Sequence, residues 1–285
     1  MSLKENLINF LKDEPKHLTE CYEEFKDIKP HSIRARLNEN VGKCFKRIKK
    51  GIYLAIEGDT QALIIEGDSW QEIKELESGC IDFIITDSPQ TTALKWVEMG
   101  TTRKKENCLS YDTKDLDTEM YREMFRVLKP AGHIFLFFSV DTEHTIDYNN
   151  EQLKTARAQG FIFNKRFIWD KKVIGMGYNG RCKYEQIFFL SKGKRHKPYD
   201  LGMADLLSYL RPNPATRRHE AEKPIELIQD LMKIAGKKGD IGLDLFGGSF
   251  NFIEAGFRQG INTIAIEKKK EFIEAAVKRF NAILI

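Results

Sequence analysis

The sequence has no apolar run near the roughly 18–20 residues that a membrane span needs, so no membrane partner is expected. Its N-terminus, MSLKENLINFLKDEP, lacks a long apolar stretch and a small-residue cleavage site, and no secretion signal is read there. Cysteine is sparse. The five (Cys21, Cys44, Cys80, Cys108 and Cys182) are odd in number, scattered and never spaced Cys-x-x-Cys. That pattern indicates neither a disulfide framework nor a zinc site, calls for no metal, and fits a reducing cytoplasm. Repeats and low-complexity stretches are also missing.

What is present suits a soluble chain of one large domain and a small one: 285 residues, 41% hydrophobic and 31% charged. The net charge of +4 is modest but uneven. Residues 29–50 hold eight Lys/Arg against Glu39 alone, and residues 165–197 hold ten against Asp170 and Glu185. Two such segments suggest a polyanionic partner; solvated charged faces are the plainer reading.

Residues 1–57 read as a small unit. Helical spacing covers Leu3–Leu11 and Leu18–Phe25, and Ser32 can cap a third helix with Ile33, Leu37 and Val41 inward and Gly42 as its stop. Cys44–Ile48 and Ile52–Ile56, joined by Lys49-Lys50-Gly51, read as a hairpin with a basic tip. Three helices and such a hairpin look like a winged helix-turn-helix. Arg34, Arg36, Lys46, Arg47, Lys49 and Lys50 are its candidate DNA contacts. A helical cap for packing or homodimerisation is the alternative.

Residues 58–285 alternate strand and helix, which argues for a mostly parallel sheet. Ile81–Gln90, IDFIITDSPQ, is a buried strand breaking at Asp87-Ser88-Pro89-Gln90, where parallel sheets open onto ligands. Residues 91–115 are a long polar loop, and Met203–Leu210 reads as a short helix. Strand 241–245 turns through Phe246-Gly247-Gly248-Ser249 into a helix, and the next strand ends in Glu267, 23 residues after Asp244. Glycines admit a ligand to bare backbone, and an acid at the next strand end can accept ribose hydroxyls. Gly-x-Gly-x-x-Gly is absent. The Asp244 carboxylate suits a cationic amino-acid end better than a pyrophosphate. A structural Gly-Gly turn remains the bland alternative.

Together these segments resemble the amino-methyltransferases that act on exocyclic amines of DNA bases, in the permuted (beta-class) order with the catalytic motif before the cofactor motif. The resemblance covers nearly all of 62–285. It rests on GDSWQEIKEL with IDFIITDSPQ, YREMFRVLKPAGHIFLFF, WDKKVIGMGYNGRCKYEQIFFLSKGK, HEAEKPIELIQDLM and DLFGGS. It implies a Rossmann-like, S-adenosylmethionine-dependent α/β sheet with strand 241–245 central, 261–266 and 62–66 on one side and 83–86 on the other. It implies Asp68, Lys223, Asp244, Phe246, Gly247, Gly248, Ser249 and Glu267 as cofactor residues.

The family's Asp-Pro-Pro-Tyr is matched at Asp87 and Pro89, with Ser88 and Gln90 departing from it. The resemblance gives Asp87 and the Ser88 carbonyl the two N–H bonds of a flipped base. Gln90 stands where an aromatic would stack. Asp at the first position favours adenine N6 over cytosine N4. A DNA-binding relative without catalysis is the third reading. Trp169 and Tyr178 are candidates for the base, or for core packing. Arg217 and Arg218 are candidates for phosphates, or for solvating a loop, in a short target-recognition segment, 191–218; the N-terminal unit is expected to supply some of the affinity for double-stranded DNA that so short a segment lacks. The resemblance also implies a cytoplasmic protein of bacterial or phage origin.

Overall fold

The computed structural model describes the chain except residues 42, 56–59, 91–113, 144, 176–179, 220 and 281–285, of which 283–284 are described as backbone. Tyr178, the expected stop at Gly42, the boundary near 57 and most of the loop 91–115 lie outside the described residues.

The N-terminal unit runs α1 (Leu3–Leu11), β1 (Lys16–His17), α2 (Leu18–Glu24), α3 (Pro30–Glu39), β2 (Phe45–Lys49) and β3 (Ile52–Ala55). Ser2 and Glu5 form a capping box at α1. The third helix begins at Pro30 instead of after Ser32, because proline lacks the N–H that a first turn leaves unpaired anyway. The three strands form an antiparallel sheet ordered β1-β3-β2. Leu7, Leu11, Cys21, Ile33, Leu37, Phe45 and Tyr53 make its core.

The large domain continues with β4 (Ala62–Glu66), α4 (Ser69–Glu75), β5 (Ile81–Thr86), α5 (Thr118–Val127), β6 (Leu128–Phe138), α6 (Ile146–Ala158), β7 (Phe161–Asp170) and β8 (Tyr184–Lys192). It ends with β9 (Leu206–Ser208), α7 (Ile225–Ala235), β10 (Ile241–Asp244), α8 (Asn251–Gln259), β11 (Asn262–Glu267), α9 (Lys270–Phe280) and β12 (Ile283–Leu284). Among the described residues the strands form one sheet, β12-β4-β11-β10-β5-β6-β8-β7-β9. It is parallel from β12 through β6, and β8 is antiparallel to both of its neighbours. The central strands are unbroken apolar runs because both faces are covered. Trp70, Ile73, Tyr121 and Met124 pack one face, and Leu227, Leu231, Met232 and Phe252 the other. Among the described residues no helix is long and apolar enough to cross a membrane.

Two further sequence expectations change. The helix read over Met203–Leu210 is the strand β9: Leu206–Ser208 pair with Ile168–Asp170 of β7, and only the middle residue, Leu207, is buried. Edge pairing overrides a helical spacing too short to hold its own first turn. The basic hairpin does not stand free. Lys46 Nζ donates to the Gly239 carbonyl at 2.8 Å, Arg47 pairs with Glu77 at 2.9 Å and Lys49 with Glu72 at 2.8 Å. Ile48 and Leu54 are buried beside Leu63, Leu76 and Ile241 of the large domain. These three basic side chains therefore bind protein carboxylates and a carbonyl, not phosphates. The attachment lies under the N-terminal ends of β4, β5 and β10.

Candidate active site

β5 and β10 are neighbours, so the turns after Thr86 and Asp244 face one another at the C-terminal edge of the sheet. Thr86 ties the two walls. Its Oγ1 donates to Asp244 Oδ1 at 2.7 Å and accepts the Leu245 N–H at 3.2 Å. Burial pushes the Asp244 carboxyl up to about 7, against the bonds from Thr86 and the Phe246 N–H, which lower it. One cavity is lined by Asp87, Ser88 and Pro89, by Asp244, by residues 246–249 and by Glu267. The Ser88 hydroxyl is buried there without a hydrogen-bond partner among the described residues.

Asp87 is anchored from the side. Lys223, just before α7, donates to Asp87 Oδ2 at 2.6 Å and lies 3.1 Å from Glu185 Oε2. Its ammonium also sits 5.0 Å from the Phe137 ring centroid and 5.8 Å from that of Trp169. The other Glu185 oxygen takes Lys171 at 3.4 Å. Burial opposes the Lys223 charge, but the two carboxylates outweigh it and raise its pKa. Burial likewise works against Glu185, and the two lysines overcome it and hold Glu185 below its ordinary value. For Asp87 burial is the larger influence and moves the carboxyl upward, with Lys223 opposing. Lys223 thus lines the cavity with its ammonium paired to Asp87 and Glu185.

The glycine turn is shaped by its own close contacts. A Cβ on Gly247 would meet the Phe250 ring at 2.7 Å, and Gly248 has φ +48°. The Gly248 N–H donates to Glu267 Oε2 at 2.9 Å, and Glu267 Oε1 accepts the N–H groups of Lys268 and Lys269 at 3.0 and 2.9 Å. The Ser249 carbonyl accepts from Arg279 at 3.4 Å. Phe246 leans on Trp70, with ring centroids 5.5 Å apart. Asp68 differs from expectation. Its carboxylate caps α4 through the Trp70 N–H at 3.0 Å, while Gly67 and Ser69 line the cavity in its place.

Other expected residues fall elsewhere. The Gln90 amide is spent on β6: Nε2 donates to the Phe137 carbonyl at 3.0 Å, and Oε1 accepts from Ser139 at 3.1 Å. It is held away from any stacking role. Trp169 is 1% exposed and its Nε1 donates to the Tyr209 carbonyl, which places it in the core. Arg218 bonds Asn251 Oδ1 at 3.2 Å and stands 3.6 Å from Glu222; Arg217 is half-buried in the same loop. Arg34, Arg36 and Lys50 are exposed on the N-terminal unit, Arg36 paired with Glu39 at 3.0 Å.

Thr86, Glu185 and Asn251 were not singled out by sequence. Asn251 donates to Glu222 and to the Lys223 carbonyl, both at 2.9 Å, and so fixes the loop that delivers Lys223. The patterns around Asp244 and Lys223 pointed to this neighbourhood without naming these three.

Sheet order, acid-ended strands and glycine turn define an α/β methyltransferase fold. The chain belongs to the N6/N4 DNA methylase family, whose model matches residues 81–278. Among curated relatives it is 26% identical over 151 residues to the Type II methyltransferase M.HhaII of Haemophilus parahaemolyticus. That match spans 53% of this chain and 64% of the relative, under two thirds of its length. It is 22% identical to the DNA adenine methyltransferase YhdJ of Escherichia coli K12, over 79% of this chain and 84% of that one. Among solved structures it resembles the cytosine-N4-specific PvuII DNA methyltransferase with a TM-score of 0.57 and 15% identity, over 83% and 90% of the two chains. The family's methyl donor is S-adenosylmethionine. The site fits it in kind: a buried acid for an ammonium, glycine backbone for close approach, and a carboxylate at the next strand end.

Proposed function

We propose that the protein transfers a methyl group from S-adenosylmethionine to the N6 amine of an adenine flipped out of duplex DNA. The observation that carries this reading is the state of Asp87. One carboxylate oxygen is clamped on Lys223, and the other has no hydrogen-bond partner among the described residues. Asp87 lines the same cavity as Asp244 and Glu267.

An exocyclic amine is a poor nucleophile because its lone pair is delocalised into the ring. Asp87 accepts one N–H and the Ser88 carbonyl the other, which turns the lone pair toward the donor. Burial makes Asp87 a better proton acceptor than an exposed aspartate, so it can take the proton that the amine sheds as the N–C bond forms. Asp244 would hold the cationic amino-acid end of the cofactor and Glu267 its ribose, and Gly247 and Gly248 would let it lie against backbone. When bound, the cofactor supplies an electrophilic methyl on a sulfonium.

The N-terminal unit is read as winged-helix-like, with α3 its DNA-contacting helix. The order helix–strand–helix–helix–strand–strand supports this reading, as do the exposed Lys29 and Arg34. Labelled-methyl transfer onto genomic DNA, followed by nucleoside analysis, tests the catalytic reading. N6-methyladenine is the expected product. N4-methylcytosine, or no transfer despite cofactor binding, would replace it with the cytosine or the non-catalytic reading.

A further inference from the structure

We propose that α3 holds a DNA segment distinct from the one that carries the target base, so that one protein molecule bridges two segments. The inference rests on the DNA reading of both the cleft and α3, and it begins from where the two lie. The cleft opens at the C-terminal ends of β5, β10 and β11, at Asp87, Asp244 and Glu267. The N-terminal unit is fastened at the opposite ends. Gln61, just before β4, donates to the Lys12 carbonyl at 2.5 Å; Glu77, before β5, donates its N–H to the Ile48 carbonyl at 2.8 Å; Gly239, before β10, receives Lys46. At ~3.3 Å per residue, β5 alone separates the two ends by about 17 Å.

The unit is also fixed there. Ile48 and Leu54 are 1% and 3% exposed within the large domain's own core, and the hairpin's Arg47 and Lys49 are ion-paired to Glu77 and Glu72. A swing toward the cleft would break all of these contacts together.

The basic residues of 29–50 divide accordingly. Lys46, Arg47 and Lys49 face the large domain. Lys29, Arg34 and Lys43, by contrast, are exposed and have no ion-pair partner among the described residues. Lys29 caps the start of α3, Arg34 lies in its middle, and Lys43 lies in the turn between α3 and β2. On that helix His31, Arg34, Ala35 and Asn38 share one outward face at i, i+3, i+4 and i+7, opposite the buried Ile33 and Leu37. The neighbouring α2 carries Glu20, Glu23 and Glu24 on its solvent side, which bounds the basic surface of α3 on that flank.

A polyanion is what three cations on α3 and its flanking turns fit, and a duplex is the one that the proposed function supplies. The target duplex cannot serve both surfaces. It would have to turn back around the sheet within a few base pairs, whereas bending 20–30 bp by even 40–90° costs about 1–6 kcal/mol. A separate segment, distant on the same DNA or on another molecule, meets α3 without that cost. Anchoring through α3 then raises the local concentration of DNA at the cleft.

Two duplexes of about two helical turns each, one carrying a donor dye and one an acceptor, test this with the full-length protein. Energy transfer between them is expected at equimolar protein. It should weaken by about fortyfold in affinity between 50 and 200 mM salt for three neutralised phosphates. In the double variant Lys29→Glu/Lys43→Glu it should be lost; Lys29→Gln/Lys43→Gln gives the milder form of the same change. Two results would overturn the proposal: no energy transfer at any protein-to-DNA ratio, or undiminished transfer in both variants, which would assign bridging to the clefts of two associated copies. Labelled-methyl transfer, measured in the same samples, separates the readings. Methylation without bridging removes the second site and leaves the function, and bridging without methylation does the reverse.

Discussion

At the N-terminal edge of the sheet, Arg47 meets Glu77 and Lys49 meets Glu72 one to one, on side chains 21–39% exposed. At the C-terminal edge, Lys223 is 11% exposed and shared between two carboxylates, Asp87 and Glu185, with Lys171 behind them. Both edges set two basic side chains against two carboxylates. The first set is matched pair by pair near water, where each pair is worth little. The second is buried as an interlocked group, where losing one member strands the others. The difference separates a fastening from a candidate site: one edge pairs its charges off, and the other leaves one Asp87 oxygen without a partner among the described residues.

The comparison can be broken by substitution, and Lys223→Ala should have the largest effect. It leaves Asp87 and Glu185 facing each other in a buried setting. A loss of about 3–5 kcal/mol in denaturant unfolding is expected, together with loss of methyl transfer. Glu185→Gln comes next. It keeps the shape but removes one counter-charge from Lys223. The turnover number for transfer should fall by about tenfold while cofactor affinity is retained, and steady-state kinetics against calorimetry would show the split.

Asp244 gives a pH test at the same edge. Burial pushes its carboxyl up to about 7 in the folded protein, above the ordinary 3.8. The folded state therefore keeps a proton that the unfolded state has lost between those values. Its contribution to stability is greatest below 3.8 and is lost as pH rises through about 7. Asp244→Asn, which does not titrate, should gain melting temperature relative to the parent as pH rises across that window. Cofactor affinity of the parent should rise through pH 7 as the carboxylate ionises to meet an ammonium, and the variant should lose that dependence. The smallest effect belongs to the other edge. Glu77→Gln should cost at most about 1 kcal/mol and leave transfer unchanged. A cost at Glu77 equal to that at Lys223 would erase the distinction.

Much of this arrangement could be read from the chain. Apolar runs ending in Asp or Glu marked β5, β10 and β11, and the glycine turn after Asp244 placed the cavity on the correct edge. Glu185 was hidden by a simple fact of topology. β8 is antiparallel to β6, so its beginning, not its end, lies at the cleft. A search of strand C-terminal ends passes over it. The hairpin misled for a related reason: its charge was visible, but Glu72, Glu77 and Gly239 are gathered only by the sheet. Asp68 and Gln90 had suitable chemistry, and local bonds to Trp70 and to Phe137 with Ser139 claimed it first.

The central claim is that Asp87 serves the acceptor amine, not the cofactor. The direct test is Asp87→Ala, assayed for labelled-methyl transfer to DNA and for cofactor binding by calorimetry. Transfer should fall by about a hundredfold or more while cofactor affinity changes by less than about fivefold. Full transfer in the variant, or loss of cofactor binding, would contradict the account.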